Sequence, residues 1–170
     1  MTKLSLINRS RTPTAVVLAA LLLTASTMSP LHAGDQIPFK GYIIVTGEPV
    51  GEPAGSFQTL RFTGPGRSTL LGNITVEATA TLNLDTLEYT GSAVWTVSNG
   101  DLFFATFEGQ LVPTSEQGIF ENHETFAITG GTGRLEGATG GGVAEGIGNP
   151  FAGLLAPFQG TISSPGANKQ

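Results

Sequence analysis

Few side chains in this 170-residue chain could carry out acid–base or metal chemistry. The chain has no cysteine, which excludes a thiolate nucleophile. Of its two histidines, His32 and His123, only His123 lies outside the N-terminal segment that we expect to be cleaved, so a multi-histidine metal site within one subunit is excluded. His123 lies near Glu121 and Glu124, where it could move a proton. The face that carries His123 also carries Glu121, however, and the opposite face is more apolar. We therefore expect His123 to be exposed on a strand, with no metal and no cofactor bound.

The most distinctive run is residues 128–142, which holds seven glycines. It could be mistaken for a dinucleotide fingerprint that starts at Gly131, but the third glycine position falls on Glu136 and no helix is predicted. It also lacks the lysine of a phosphate-binding loop. We interpret the run as a structural turn at one closed end of a β-barrel, with Arg134 and Glu136 as solvated or locally paired charges. The turn glycines are Gly130, Gly131, Gly133, Gly137 and Gly140.

The N-terminal residues 1–33 have the pattern of a secretory signal peptide. A basic region is followed by a short apolar core, Thr14–Ala25, which is too short to span a bilayer stably, and cleavage is expected after Ala33. The sequence thus predicts an exported protein, periplasmic or extracellular. Without this segment 5 basic and 13 acidic residues remain, a net charge of −8. Such a balance argues against binding to nucleic acid and gives no basic patch for anionic lipid.

Residues 34–163 are predicted to form one all-β domain, followed by a flexible tail at 164–170. Apolar and polar residues alternate with period two, and no helical periodicity is found. Asn99-Gly100 is the strongest hairpin signal and predicts a type I′ turn, whereas Gly64-Pro65-Gly66 predicts a break. The predicted strands are 37–46, 56–63, 73–83, 89–98, 101–112, 119–129, 139–147 and 156–163, with a short additional strand possible at 67–71.

Seven or eight short antiparallel strands are typical of a sandwich or an up-and-down barrel. Large and small residues alternate on the inward faces, which favours a single eight-stranded barrel with a tapered interior. The candidates for lining a ligand cavity are Trp95, Phe103, Phe107, Tyr89 and Glu108. A loop at 148–155 is rich in apolar residues, and we expect it to cap the barrel.

The run ITGGTGRLEGATG at 128–140 resembles the glycine-rich signature of allene oxide cyclase-like and dirigent-like barrels, most of all their small exported bacterial members. Leu135 stands where that pattern usually has phenylalanine, and 158–162 is similar to the last strand of the family. The resemblance implies a calycin-like eight-stranded barrel with an apolar cavity, often trimeric in the plant enzymes. It assigns no catalytic residue, because none of the family's can be matched to a position in this chain.

Three hypotheses for function follow. The first is a binding or structural module that takes an apolar small molecule. The second is an enzyme, an allene oxide cyclase-like isomerase, which requires an enclosed pocket of roughly a few hundred Å³ with at least two convergent polar side chains. A barrel filled by Trp95, Phe103 and Phe107 would contradict it. The third, an outer-membrane barrel, is weakened by outward faces rich in serine, threonine and glutamate and by the lack of an aromatic girdle.

Overall fold

Eight antiparallel strands form one closed barrel in the computed structural model, which describes residues 35–163. The strands pair in chain order, and the last pairs with the first, which confirms the predicted fold class. The predicted signal peptide and the tail at 164–170 lie outside the described residues. The strands are β1 (Gln36–Pro49), β2 (Phe57–Ser68), β3 (Gly72–Asn83), β4 (Glu88–Val97), β5 (Leu102–Pro113), β6 (Phe120–Gly131), β7 (Gly140–Asn149) and β8 (Gly153–Ser163).

The period-two pattern sets which side of the wall each residue faces. In β3, Ile74 and Val76 are buried inside the barrel, whereas Thr75 and Glu77 between them are exposed. Successive side chains on a strand point to opposite faces, so every strand contributes one half of its residues to the interior. Within the described part of the chain, no helix has the length and apolar character needed to cross a membrane.

The predicted break at residues 64–66 is wrong, because this segment lies inside β2. The ladder from β2 to β3 continues through Pro65, which pairs with Thr75. The ladder from β1 to β2 is interrupted at the same place: it pairs Ile43 with Gly66 and resumes only at Thr46. Proline has no N–H to donate, so the strand tolerates it where one of its two ladders is already broken. The extra strand considered at 67–71 is likewise absent from the described barrel: residues 67 and 68 belong to the end of β2, and residues 69–71 form the turn that leads to β3.

The hairpin predicted at Asn99-Gly100 joins β4 to β5, but its turn type differs from the prediction. A type I′ turn needs positive φ at both central residues. Gly100 has φ +88°, but Leu87 is the only non-glycine residue with positive φ in the described chain, so φ of Asn99 is negative and the turn is not of type I′. The Gly100 N–H donates to the Val97 carbonyl, and the Asn99 side chain accepts from the Asp101 N–H. These contacts define a three-residue loop in which glycine takes the left-handed position.

The apolar loop expected at 148–155 is shorter than predicted and forms no complete cap. β8 begins at Gly153, so the connection from β7 contains only residues 150–152. Leu154 faces the interior, while Leu155 and Phe151 are exposed. The alternation of a strand accounts for the burial of one leucine beside the exposure of the next.

Aromatic side chains pack one end of the barrel, which we call the closed end. Trp95 and Phe103 stack with ring centroids 4.9 Å apart, and Phe103 is fully buried. The ring centroids of Phe39 on β1 and Phe126 on β6 lie 6.2 Å apart. The two strands between them, β8 and β7, carry Gly160 and Gly142 at the paired positions. Because these glycines have no side chains, the two rings can approach each other across the inner face of β7 and β8. Aromatic pairs of this kind contribute about 0.5–1.5 kcal/mol to stability beyond their buried area.

The glycine-rich connection from β6 to β7 covers the closed end. It contains a single 3₁₀ turn, Gly133–Leu135, and buries Leu135 and Ala138 against the core. Gly133 has φ +56°, which disfavours residues with a Cβ. The backbone N–H and Nε of Arg134 both lie 3.2 Å from Oδ2 of Asp101, so the connection is joined to the β4–β5 hairpin. The five predicted turn glycines all lie in this connection or at the strand ends that flank it.

Candidate functional site

The opposite end of the barrel, which we call the mouth, contains a cavity of about 80 Å³. Twenty residues line it, and seventeen of them are apolar. Pro150, buried in the β7–β8 turn, lines the cavity at the mouth, and its carbonyl accepts a hydrogen bond of 2.7 Å from the Gly47 N–H. The barrel is therefore filled by aromatic side chains at one end and hollow at the other.

Three of the five predicted cavity residues line this cavity: Trp95, Phe107 and Tyr89. Phe103 does not, because it is packed behind Trp95 at the closed end. Glu108 does not either. It follows the inward-facing Phe107 on β5, so its side chain is on the outer face and exposed. The prediction that Glu108 lines the cavity is therefore wrong, because successive side chains on a strand point to opposite faces.

The three polar residues of the cavity form one cluster, Tyr89, Asn122 and Glu124. The Tyr89 hydroxyl lies 2.5 Å from Oδ1 of Asn122 and 3.0 Å from Oε2 of Glu124. Asn122 and Glu124 both face inward on β6, whereas Tyr89 is on β4, with β5 between them. A polar cluster in an otherwise apolar cavity fixes where a polar group of a ligand can be placed.

Gly109 on β5 makes this contact across two strands possible. It pairs with Tyr89 on one side and Glu124 on the other. A Cβ atom at this position would lie 2.5 Å from the Tyr89 hydroxyl oxygen. With hydrogen in place of a side chain, the tyrosine ring can lie across β5 and reach β6.

Burial raises the pKa of Glu124 from 4.5 to about 7, although the hydrogen bond from Tyr89 opposes this shift. The pKa of Tyr89 is raised, first by burial and then by the negative charge of an ionised Glu124. Both groups are therefore held toward their neutral forms. A carboxyl group with a pKa near neutrality in an apolar cavity can bind or exchange a proton under ordinary conditions.

His123 lies outside this site. Its side chain is exposed on the outer face of β6, where Nε2 is 3.7 Å from Oε2 of Glu121, as the sequence predicted for an exposed strand residue. In the stretch 35–163, no group of three histidine, aspartate or glutamate side chains could hold a metal ion.

Sequence reasoning did not identify Asn122 and Glu124 as site residues. It placed them on the apolar face of β6 together with Phe120, Phe126 and Ile128 and treated that face as core. The signal was nevertheless present, because two polar residues on a buried face need partners inside the protein. Their partner, Tyr89, is 35 residues from Glu124 in the chain, and no spacing rule joins the two.

The fold and the site together define a class: a closed eight-stranded barrel, packed at one end, with an apolar cavity and a single polar cluster at the other. Comparisons with protein-family models, with curated proteins and with solved structures found no match for this chain. The resemblance to allene oxide cyclase-like barrels stays a prediction.

Proposed function

We propose that this protein is an exported binding module that holds an apolar small molecule in the mouth half of the barrel. The observation that carries the proposal is the uneven filling of the interior. A barrel that served only as a scaffold gains stability by packing its whole interior, since unfilled space forfeits contacts. Here small residues such as Ala80 and Ala93 line the hollow half while Trp95 and Phe103 fill the other.

The apolar lining of the cavity favours a binding module over an enzyme. Its volume of about 80 Å³ is below the few hundred Å³ typical of small-molecule sites of either kind, so a ligand as large as a dye must project from the mouth; the requirement for convergent polar groups is met. The lining is apolar apart from one cluster, so burial of ligand surface would supply most of the affinity. The proposal includes export through the predicted signal peptide.

Trp95, the single tryptophan of the chain, lines the cavity and reports on its occupancy. Titration with the uncharged dye N-phenyl-1-naphthylamine should quench Trp95 fluorescence and enhance that of the dye, with saturation at one dye per barrel. Dye that fluoresces no more than with an unrelated protein of equal charge would contradict the proposal.

A variant that fills the cavity separates binding inside from binding outside. Ala80 is buried in the cavity wall, so Ala80→Leu should weaken dye binding by tenfold or more. Thr79→Leu is the matched control: it adds a leucine one position away, on the outer face, and should leave the affinity unchanged. Thermal unfolding of both variants checks that the barrel is intact.

The second candidate function is a cyclase or isomerase, favoured by one observation. Glu124, with a pKa near 7 and a hydrogen bond to Tyr89, has the properties of a general acid or base beside an apolar substrate. The molecule retained by the protein from its native compartment distinguishes the two functions. A binding module should yield the same compound from wild type and from Glu124→Gln, whereas an enzyme should yield an isomeric precursor from the variant.

A further inference from the structure

We propose that the cluster of Tyr89, Asn122 and Glu124 selects the head group of the ligand: it binds an apolar molecule through an uncharged hydroxyl group and rejects a carboxylate of the same length. The inference rests on the proposed binding function and names its ligand class. It follows from the number of protons available to the three side chains.

The Tyr89 hydroxyl has one proton but faces two acceptor oxygens. At 2.5 Å, that proton is committed to Oδ1 of Asn122. Oε2 of Glu124 is also within hydrogen-bond distance of the same hydroxyl oxygen, at 3.0 Å. When Glu124 is ionised, Tyr89 donates to it, and this hydrogen bond lowers the pKa of Glu124. With the Tyr89 proton on Asn122, the contact is a hydrogen bond only if Glu124 is protonated and donates to the Tyr89 oxygen, so we assign Glu124 as a neutral carboxylic acid in this arrangement. The raised pKa of Glu124 agrees with this assignment.

The two remaining polar atoms of the cluster face the cavity. Nδ2 of Asn122 and Oε1 of Glu124 make no hydrogen bond within the described residues, yet no enclosed side-chain nitrogen or oxygen there lacks a partner. Both atoms are consequently accessible, and because both residues line the cavity we place the two atoms at its surface. One is a donor and the other an acceptor, so the cluster presents a complementary pair of hydrogen-bonding sites to a ligand.

A hydroxyl group satisfies both atoms at once, because it accepts from Nδ2 of Asn122 and donates to Oε1 of Glu124. A carboxylate has no proton to donate and would leave Oε1 without a partner. Its charge would also be buried without compensation, since none of the described residues that line the cavity is a lysine, arginine or histidine. An ammonium group is also disfavoured, because it has only donors and would face the donor Nδ2 of Asn122 without accepting from it.

The charge state of the cluster is set inside the barrel. Among the described residues, Tyr89 is the only titratable side chain that hydrogen-bonds to Glu124 and affects its pKa. Glu108 on β5, His123 on β6 and Glu145 on β7 lie on the outer faces of the adjacent strands and are exposed. Ligand selection by head group should thus be insensitive to substitutions on the outer wall.

The test compares n-octanol, octanoate and octylammonium as competitors of N-phenyl-1-naphthylamine on the full-length exported protein at pH 6, where octanoate and octylammonium are charged. We expect octanol to displace the dye at a concentration at least about tenfold lower than octanoate or octylammonium, a difference of about 1.4 kcal/mol. Equal displacement by alcohol and carboxylate, or tighter binding of the amine, would overturn the inference. If no dye binds at all, the proposed binding function itself fails.

The variant Asn122→Leu removes the cavity-facing donor at similar volume. The variant should bind octanol about fivefold more weakly, which corresponds to the loss of one hydrogen bond, while its affinity for the dye is retained. His123→Leu, the adjacent outward residue on β6, is the matched control and should change neither affinity.

If Asn122→Leu does not fold, wild type supplies an independent measurement. Carbon NMR of the Glu124 carboxyl group without ligand should give a titration midpoint near 7. A midpoint at the ordinary value of a glutamic acid would show a charged cluster at pH 6 and overturn the inference.

Discussion

Glu124 combines two properties that rarely occur together in a stable barrel: it is a carboxyl group on an inward face, and it has no cationic partner among residues 35–163. Burial therefore shifts its pKa upward, and a tyrosine and an asparagine complete its hydrogen bonds. Burying such a group costs free energy unless it is neutral and hydrogen-bonded. A group that is retained at a cost in stability, in a cavity, points to binding rather than to packing.

The shifted pKa predicts how stability depends on pH. Folding raises the pKa of Glu124 from 4.5 to about 7, so between these values the folded state holds a proton that the unfolded state has released. The free energy of unfolding should then fall as pH rises through this window and level off above it. The loss is on the order of 3 kcal/mol for the full shift. Urea unfolding at pH 5 and pH 8 measures it.

The variant Glu124→Gln isolates this contribution, because glutamine cannot ionise. The difference in stability between wild type and variant should change by the stated amount across the window. Glu108→Gln, on the exposed outer face of the neighbouring strand, is the control and should follow wild type. Identical pH profiles for wild type and Glu124→Gln would refute the assignment.

Among the elements, the β6–β7 connection determines how the closed end is sealed. It buries Leu135 and Ala138, and its Arg134 contacts Asp101 of the β4–β5 hairpin. The pKa of Asp101 is lowered, first by a hydrogen bond from Asn99 and then by contacts with Arg134. The connection thus closes this end of the barrel, and its glycines allow the backbone conformation that this requires. It lies at the opposite end of the barrel from the polar cluster.

Leu135→Ala should destabilise the fold without affecting ligand binding. Leu135 is 3% exposed at the closed end, so truncation leaves a hole that costs about 2–4 kcal/mol. Denaturant unfolding gives the stability, and titration with N-phenyl-1-naphthylamine gives the affinity, which should match wild type. A parallel loss of affinity would mean that the two ends are not independent.

Two glycines, Gly131 at the end of β6 and Gly137 in the β6–β7 connection, are required for different reasons. A Cβ at Gly131 would lie 2.5 Å from the carbonyl oxygens of both Leu102 and Leu135, whereas Gly137 has open space around it and φ +72°. We expect Gly131→Ala to lose about 3 kcal/mol through crowding and Gly137→Ala about 1 kcal/mol through backbone strain. Thermal unfolding of the two variants measures these losses, and a larger loss of stability in Gly137→Ala than in Gly131→Ala would contradict the prediction.

At the scale of the whole molecule, closure of the barrel leaves no strand edge between β1 and β8 for pairing with another chain. Self-association of the described barrel would therefore use side chains and loops rather than strand pairing. Three apolar side chains lie side by side there, on adjacent strands: Ile44, Leu155 and Ile147. All three are exposed in the single chain.

The resemblance to allene oxide cyclase-like barrels implies a trimer, and this apolar row is where we expect its subunits to meet. Leu155→Glu should then give monomers in native mass spectrometry. Val94→Glu is the control, because Val94 is also an exposed apolar residue but lies on β4, across the barrel. Wild type that is monomeric at micromolar concentration would remove the basis for this prediction.

Sequence alone was sufficient for the all-β class, for most strands and for the position of the glycine run between two strands. Local rules explain this success, since alternation and turn glycines are encoded over a few residues. The same rules failed at Gly64–Gly66, where a turn signal lies within β2. There the partner strands, which no local rule includes, hold the backbone extended.

Only the tertiary structure could assemble the candidate site. Whether an inward residue meets a cavity or a packed core depends on its height in the barrel, which placed Trp95 at the boundary and Phe103 in the core. Tyr89 and Glu124 meet because both face inward at the same level and Gly109 leaves the space between them. The sequence determined which way each side chain points, and strand register and closure decided which side chains meet, because contact in a barrel depends on pairing across strands rather than on distance along the chain.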